Sequence, residues 1–327
     1  MVNGVLDAVV KKGQRRMEVG LVLGGGGVVG AAWMVGALEA LEADAGFRAH
    51  QAKRVLGTSA GALVGALGAA GVSPEEMAES AVGTASHLVG SYRDAGRPPL
   101  VIGSASLAAS MLRRPRDRSA TAMVMGLLPR GIVNTEPIHR LVEKVLGSDW
   151  PLKPSLRVVA CDYASGQRVT FGSDWAPRTA VGAAVAASCA IPGFFRPVMI
   201  GERDYIDGGI HSHSNLDMIA GEELDAVVCL SPLSSSAPVR GTTMLERIAA
   251  ARRRRSAAIL AREAEALRRR GIELIVLEPG PDDLRAMGVN PMARDRAERV
   301  IETARASVAR TLSRLPLAAE LSAALAG

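Results

Sequence analysis

Residues 18–30 read EVGLVLGGGGVVG, and residues 53–61 read KRVLGTSAG. In the first stretch, Val19 to Leu23 is a short apolar run of strand formers, four glycines stop it, and residues 28–41 carry the Ala, Met, Leu and Glu of a helix. Strand, glycine turn and helix follow in that order. Successive glycines let the backbone take conformations closed to other residues. They turn several N–H groups toward one point at a helix N-terminus, where negative charge is favoured. The second stretch is a strand running into Gly57-Thr58-Ser59-Ala60-Gly61, the Gly-x-Ser-x-Gly turn that raises a serine hydroxyl above a sheet.

Two kinds of anion compete for the glycine turn. Gly25, Gly27 and Gly30 spell Gly-x-Gly-x-x-Gly, the dinucleotide fingerprint, which also wants an acidic residue closing a second strand about 20 positions on. Glu42 and Asp44 lie near that distance but end the first helix, so an oxidoreductase binding NAD or FAD is the weaker reading. The serine turn favours a nucleophile. If Ser59 attacks an ester carbonyl, the tetrahedral intermediate carries an oxyanion that amides of the glycine turn are suited to hold. A third element, Tyr205-Ile206-Asp207-Gly208-Gly209, sets a carboxylate at the end of a short strand, with two glycines clearing space beside it.

Taken in order, these residues resemble the patatin-like phospholipases, α/β acyl hydrolases with a Ser-Asp dyad. The glycine turn (Gly25 to Gly30), the elbow (Gly57 to Gly61) and the Asp-Gly-Gly (Asp207 to Gly209) match the family's motifs, and Ala187 to Phe195, ASCAIPGFF, resembles its segment ahead of the aspartate. The likeness covers about residues 18–230. It implies Ser59 as nucleophile, Asp207 as base, and the turn at Gly25, Gly26, Gly27 and Val28 as the oxyanion hole, with Gly30, Gly57, Gly61, Gly208 and Gly209 shaping the motifs. The chain departs from the pattern twice. Val29 stands where the family usually has Arg or Lys, so a cation there is lost or supplied elsewhere, and Asn215-Leu216-Asp217 keeps the asparagine of the family's Asn-x-Pro without its proline.

The composition fits this reading. A chain of 327 residues, 48% hydrophobic, can bury a large core, and 3% aromatic content excludes an aromatic recognition surface. The net charge of +6 permits attraction to an anionic surface. Residues 1–17 hold four cations and no signal-peptide core, and no run reaches the length needed to span a bilayer. Cys161, Cys189 and Cys229 are odd in number and sit in apolar settings, against a disulfide framework or a metal site. A cytoplasmic protein, in peripheral contact with membrane at most, is expected.

Along the rest of the chain, residues 61–70 form the helix leaving the elbow, and Ser73-Pro74-Glu75-Glu76 is a capping box. Residues 84–131 are broken by Gly and Pro, with Met111, Met123 and Met125 among Arg113, Arg114, Arg116 and Arg118. Such a helical insertion could cap a lipid site or be plain core with a basic loop. A helix over 134–146 carries His139, read as structural. Strands are expected at 156–162 and 168–171, joined as a hairpin, then at 198–200, up to Asp207, at 225–230 and at 273–277, with a small-residue helix over 178–188. Residues 243–270 form a basic helix with Leu245, Ile248, Ile259, Leu260 and Leu267 inward and the Arg252–Arg255 and Arg268–Arg270 runs on a solvated or membrane-facing side. Residues 291–315 form a terminal helix docked through Ala297, Val300, Ile301, Ala304, Val308 and Leu312.

The resulting expectation is a three-layer α/β/α patatin-like fold with a mostly parallel central sheet, a helical insertion and a C-terminal helix. Its domain spans 18–315, between an extension at 1–17 and a tail at 316–327. The expected activity is lipid acyl hydrolysis through an acyl-serine, with neither cofactor nor metal, a lipid or other ester as partner and no nucleic acid. The alternatives are acyl transfer and a non-enzymatic lipid-binding or scaffold protein. His211 and His213 offer a triad in place of the dyad, but four or six residues after Asp207 is too short a span for an acid and a histidine on successive strands.

Overall fold

The computed structural model describes residues 17–81, 131–236 and 242–314. The expected cap at 84–131 thus lies outside the described residues except for Gly131, as do residues 1–16 and 315–327. Eight strands form one sheet: β1 (Val19–Leu23), β2 (Arg54–Thr58), β3 (Ser155–Asp162), β4 (Arg168–Phe171), β5 (Val198–Ile200), β6 (Arg203–Asp207), β7 (Ala226–Leu230) and β8 (Glu273–Leu277). The neighbours run β5-β6-β3-β2-β1-β7-β8, with β4 also on β3. β3, β2, β1, β7 and β8 are mutually parallel, while β4, β5 and β6 add antiparallel pairs. Helices among the described residues include α1 (Gly27–Ala45), α2 (Ala60–Ala69), α3 (Glu136–Leu146), α4 (Val181–Ser188), α5 (Met244–Arg268), α6 (Pro281–Met287) and α7 (Ala297–Leu312).

Strand alternation sorts the core into two layers. Leu21, Leu23, Val55, Val228, Leu230, Ile275 and Leu277 face α1, α2 and α7, while Val22, Leu56, Val159, Val227 and Cys229 face α5 through Leu260, Ala264 and Leu267. A parallel sheet buried on both faces is what such near-continuous apolar strands require. α7 docks on α1 through the six residues expected, and Gly36 of α1 makes the crossing possible, since a Cβ there would collide with the Ile301 carbonyl.

The phase of α5 differs from expectation. Its buried residues are Ala250, Arg253, Ser256, Leu260, Glu263, Ala264 and Leu267, whereas Leu245 and Ile248 are exposed at 67% and 49%. Periodicity counts apolar side chains and so passes over two charges that find polar partners in the interior. Thr243 caps this helix, its hydroxyl accepting the Glu246 N–H at 3.2 Å.

One register feature sets up everything below. Val158 and Val159 of β3 pair with β2 on one edge and with β4 on the other, and Ala160 and Cys161 pair with β4 and with β6. Because a strand has only two edges, β2 and β6 share one. β2 ends there with Thr58 opposite Val159, and β6, running the other way, ends with Asp207 opposite Ala160.

Gly61 shows how tightly α2 returns onto this sheet, since a Cβ there would collide with the Leu23 carbonyl oxygen. Gly61→Ala should therefore cost about 3 kcal/mol in urea unfolding, at the upper end of ordinary overpacking. Gly46→Ala, at φ 63° with nothing within 4 Å of the added carbon, should cost only the left-handed penalty of about 1 kcal/mol.

Candidate active site

Ser59 stands between β2 and α2 with φ 53° and ψ −122°, a positive-φ conformation that non-glycine residues rarely hold without support. The support is visible. The buried Ser188 hydroxyl, from the end of α4, donates to the Val159 carbonyl at 2.6 Å and accepts the Ser59 N–H at 2.8 Å. Thr58, wholly buried, takes a hydrogen bond on Oγ1 from Asn215 Nδ2 at 3.1 Å. Asn215 also donates to the Ser212 and Gly208 carbonyls at 2.7 and 3.3 Å, so it ties the loop after β6 to the elbow strand. Its own left-handed backbone, φ 48°, suits an asparagine.

Asp207 is 5% exposed, and its carboxylate is held by the Ser59 side chain and by the Gly209 N–H, the latter at 2.7 Å to Oδ1. Burial nevertheless wins over these two hydrogen bonds and pushes its pKa up to about 6. The sheet thus brings Ser59 and Asp207, 148 positions apart, within hydrogen-bond reach. The partners seen on the carboxylate among the described residues are Ser59 and Gly209. His213 lies in the same loop with its Nδ1 near Gly209. Burial, and then the charges of Arg252 and Arg253, lower its pKa to about 4, which keeps it neutral. All three cysteines are free and buried, and burial raises the thiols of Cys189 and Cys229, so neither is a competing nucleophile.

The glycine turn faces the same point. The N–H groups of Gly26, Gly27 and Val28 have no acceptor among the described residues, at the N-terminus of the 19-residue α1. Gly25 corrects the expected set of donors, because its N–H is already given to the His213 carbonyl at 2.8 Å and so is not free for an oxyanion. Val29 likewise donates to Pro291 O at 3.1 Å. Gly27 has φ 62° and an added Cβ there would lie 2.7 Å from Pro291 O, so glycine is required on both counts. Gly25 packs against Ser59, an added Cβ lying 3.3 Å from that of the serine. Arg252 and Arg253 of α5 line the small cavity beside the Val29 side chain.

The loop bearing these groups is clamped from outside. Glu263 of α5, 8% exposed, accepts from Ser214 Oγ at 2.6 Å and from the Leu216 N–H at 3.0 Å, and Arg168 holds Asp217 through two bonds of 2.7 Å. Sequence reasoning assigned no role to Ser188, Glu263 or Arg168. Ser188 does lie within the ASCAIPGFF segment already singled out, which was the available signal. His139 lies 3.6 and 3.0 Å from the Glu136 and Glu143 carboxylates and packs against Gly182 of α4. Among the described residues no cluster of His, Cys, Asp or Glu could hold a metal, and no helix is long and apolar enough to cross a membrane.

A mostly parallel α/β sheet with a serine elbow beside a glycine-rich helix N-terminus defines a class of acyl-transferring hydrolases. Within that class the chain belongs to the patatin-like phospholipase family, whose model matches residues 21–219. It is 29% identical over 234 residues to an uncharacterized protein, YqhO of Bacillus subtilis strain 168, covering 68% of this chain and 74% of that one. Among solved structures it is similar to the type III effector protein ExoU (16% identity, 91% of this chain and 53% of that chain, TM-score 0.37). The ExoU–SpcU heterodimer of the Pseudomonas aeruginosa type III secretion system is also similar (20% identity, 92% and 61%, TM-score 0.34). The chain spans about half the length of the ExoU chain it matches first.

Ser188→Ala would leave the Ser59 N–H and the Val159 carbonyl without their shared partner. Leaving such buried groups unpaired costs about 1–3 kcal/mol, and chemical denaturation of the variant should read a loss in that range.

Proposed function

We propose that the protein is a lipid acyl hydrolase that cleaves carboxylic esters through a covalent acyl-Ser59 intermediate, with Asp207 as its general base. The observation that carries this reading is the hydrogen bond between the Ser59 side chain and the buried Asp207 carboxylate, beside the unspent amides of Gly26, Gly27 and Val28.

A serine hydroxyl is a weak nucleophile until its proton is removed as it attacks. Asp207 takes that proton while Ser59 Oγ bonds to the ester carbon, and the carbonyl oxygen, now negative, is met by the glycine-turn amides and the N-terminal dipole of α1. Collapse of the tetrahedral intermediate breaks the carbon–oxygen bond to the alcohol, which leaves with the proton from Asp207. A water then gives its proton to the same carboxylate and attacks the acyl-serine. A second tetrahedral intermediate releases the acid, and the proton returns to Ser59. An alcohol or lysolipid in place of that water makes the outcome acyl transfer by the same steps.

A base with its pKa at about 6 works only when ionised, so kcat/KM should rise with pH through about 6 and level off above about 7, well above the range of an ordinary aspartate. A pH profile on a soluble nitrophenyl ester reads this, and an acid limb near 4 would contradict the assignment. Ser59→Ala should abolish labelling by a fluorophosphonate and lower ester turnover by at least about 100-fold, as should Asp207→Asn for turnover. Labelling of Ser59→Ala at the native rate would refute the nucleophile.

A further inference from the structure

Arg168 reaches the site from the far side of β3. It stands on β4, opposite Cys161, and β4 lies along the edge of β3 away from β2 and β6. Strand alternation puts its side chain on the face of Val159, the face that α5 covers. From there the guanidinium crosses β3 and meets two acceptors in the loop after β6. One is the Asp217 carboxylate, through two bonds of 2.7 Å, and the other is Asn215 Oδ1, which accepts from Nη1 at 3.2 Å. A guanidinium can only donate, so this contact decides which end of the Asn215 amide is oxygen and which is nitrogen.

The nitrogen end of that amide reaches the carboxylate through a single peptide. Asn215 Nδ2 donates to the Gly208 carbonyl at 3.3 Å, besides Thr58 Oγ1 and the Ser212 carbonyl. The Gly208 carbonyl and the Gly209 N–H belong to one planar unit, and that N–H donates to Asp207 Oδ1 at 2.7 Å. The hydrogen bonds therefore run in one direction, from the Arg168 cation through the Asn215 amide and the 208–209 peptide to the carboxylate that holds the Ser59 side chain. Each donor in such a chain is polarised by the one before it, and little water screens this one. Asn215 is wholly buried, Gly208 and Asp207 are buried, and the Arg168 side chain is 17% exposed. Burial by itself would lower the pKa of Arg168, but the Asp217 carboxylate, and then the charge of Glu263, raise it, so the head of the chain stays a cation.

We propose that Arg168 is a positioning residue for the dyad: acting through Asn215 and the 208–209 peptide, it aims the N–H that the Asp207 carboxylate accepts. The proposal rests on the acyl-hydrolase reading and adds to it a control exerted from β4. Without the cation the Asn215 amide is free to turn, and the Gly209 bond weakens. That bond is one of the two that lower the carboxylate's pKa against its burial, so its loss should raise the pKa above about 6. The other titratable groups about Asp207 are Cys189, whose thiol burial keeps protonated, and His213, which burial keeps neutral. Those about Arg168 are Asp217, Glu263 and Cys161.

The test compares Arg168→Met, Arg168→Lys and Asn215→Gly with the native full chain on a soluble nitrophenyl ester. Arg168→Met should lower kcat at least about tenfold while KM changes less than about twofold. It should also move the acid limb of kcat/KM up by about half a pH unit or more. Arg168→Lys, which keeps the charge, should recover part of both effects. Asn215→Gly tolerates the left-handed backbone at φ 48° and cuts the same chain one link on, so it should show the same two changes. The double variant Arg168→Met/Asn215→Gly should lose no more than either single one, the mark of one residue acting through the other. Amide hydrogen exchange reads the link without substrate: the Gly209 N–H should exchange at least about tenfold faster in Arg168→Met, while amides of β1 and β7 keep their native protection. A folded Arg168→Met with native kcat and an unmoved acid limb overturns the proposal. So do losses that add in the double variant, or faster exchange spread evenly over the sheet, either of which would mark a merely structural role. If the native protein turns over no ester, the acyl-hydrolase reading falls separately, and exchange at Gly209 still decides whether Arg168 holds that peptide.

Discussion

On one edge of β3 the carboxyl ends of β2 and β6 meet head to head, Thr58 opposite Val159 and Asp207 opposite Ala160. The residue after Thr58 is the serine, and the last residue of β6 is the acid. Their proximity is thus a property of main-chain hydrogen bonding, the stiffest feature of the fold, and does not depend on the rotamers of long side chains. The antiparallel turn-back of β5 and β6 onto an otherwise parallel sheet has its use here. A parallel β6 would bring its carboxyl end to the same level only by lying beside β2, not in line with it.

Holding a serine at φ 53° and an aspartate at 5% exposure carries a cost that the surroundings offset. Ser188 satisfies one donor and one acceptor across the gap between β2 and β3. Asn215 spans the elbow strand and the loop after β6, and Glu263 and Arg168 fix that loop from two other elements. Each is a buried or half-buried polar group whose removal would strand its partners, so the network is worth more intact than its separate bonds suggest. Asp207 stands apart within it. Its two hydrogen bonds do not cancel its desolvation, which leaves its pKa raised to about 6.

Most of the elements were legible in the sequence because they repeat a simple period between strong breaks. The strands at 19–23, 168–171, 198–200 and 273–277 fall at the expected residues, and α7 buries the six side chains its pattern named. What escaped was of two kinds. The inner face of α5 was misjudged because Leu245 and Ile248 look buried by composition, whereas Arg253 and Glu263 are buried in fact, each satisfied by a partner that lies 21 or 47–49 positions away. The Gly25 amide looked available because nothing local reveals that the His213 carbonyl, 188 residues on, already occupies it.

The sequence by itself determined the local geometry: a glycine run that must turn, a Gly-x-Ser-x-Gly that must bend sharply, a strand that must end on an acid, and apolar strands that demand cover on both faces. These follow from backbone sterics and from hydrophobic period, which act over a few residues. Only the tertiary structure decided which amides of the turn are left unspent, which charges are driven into the interior, and that two arginines from α5 close in beside Val29. Those outcomes depend on register and on desolvation, and both are set by neighbours that the order of residues along the chain does not reveal.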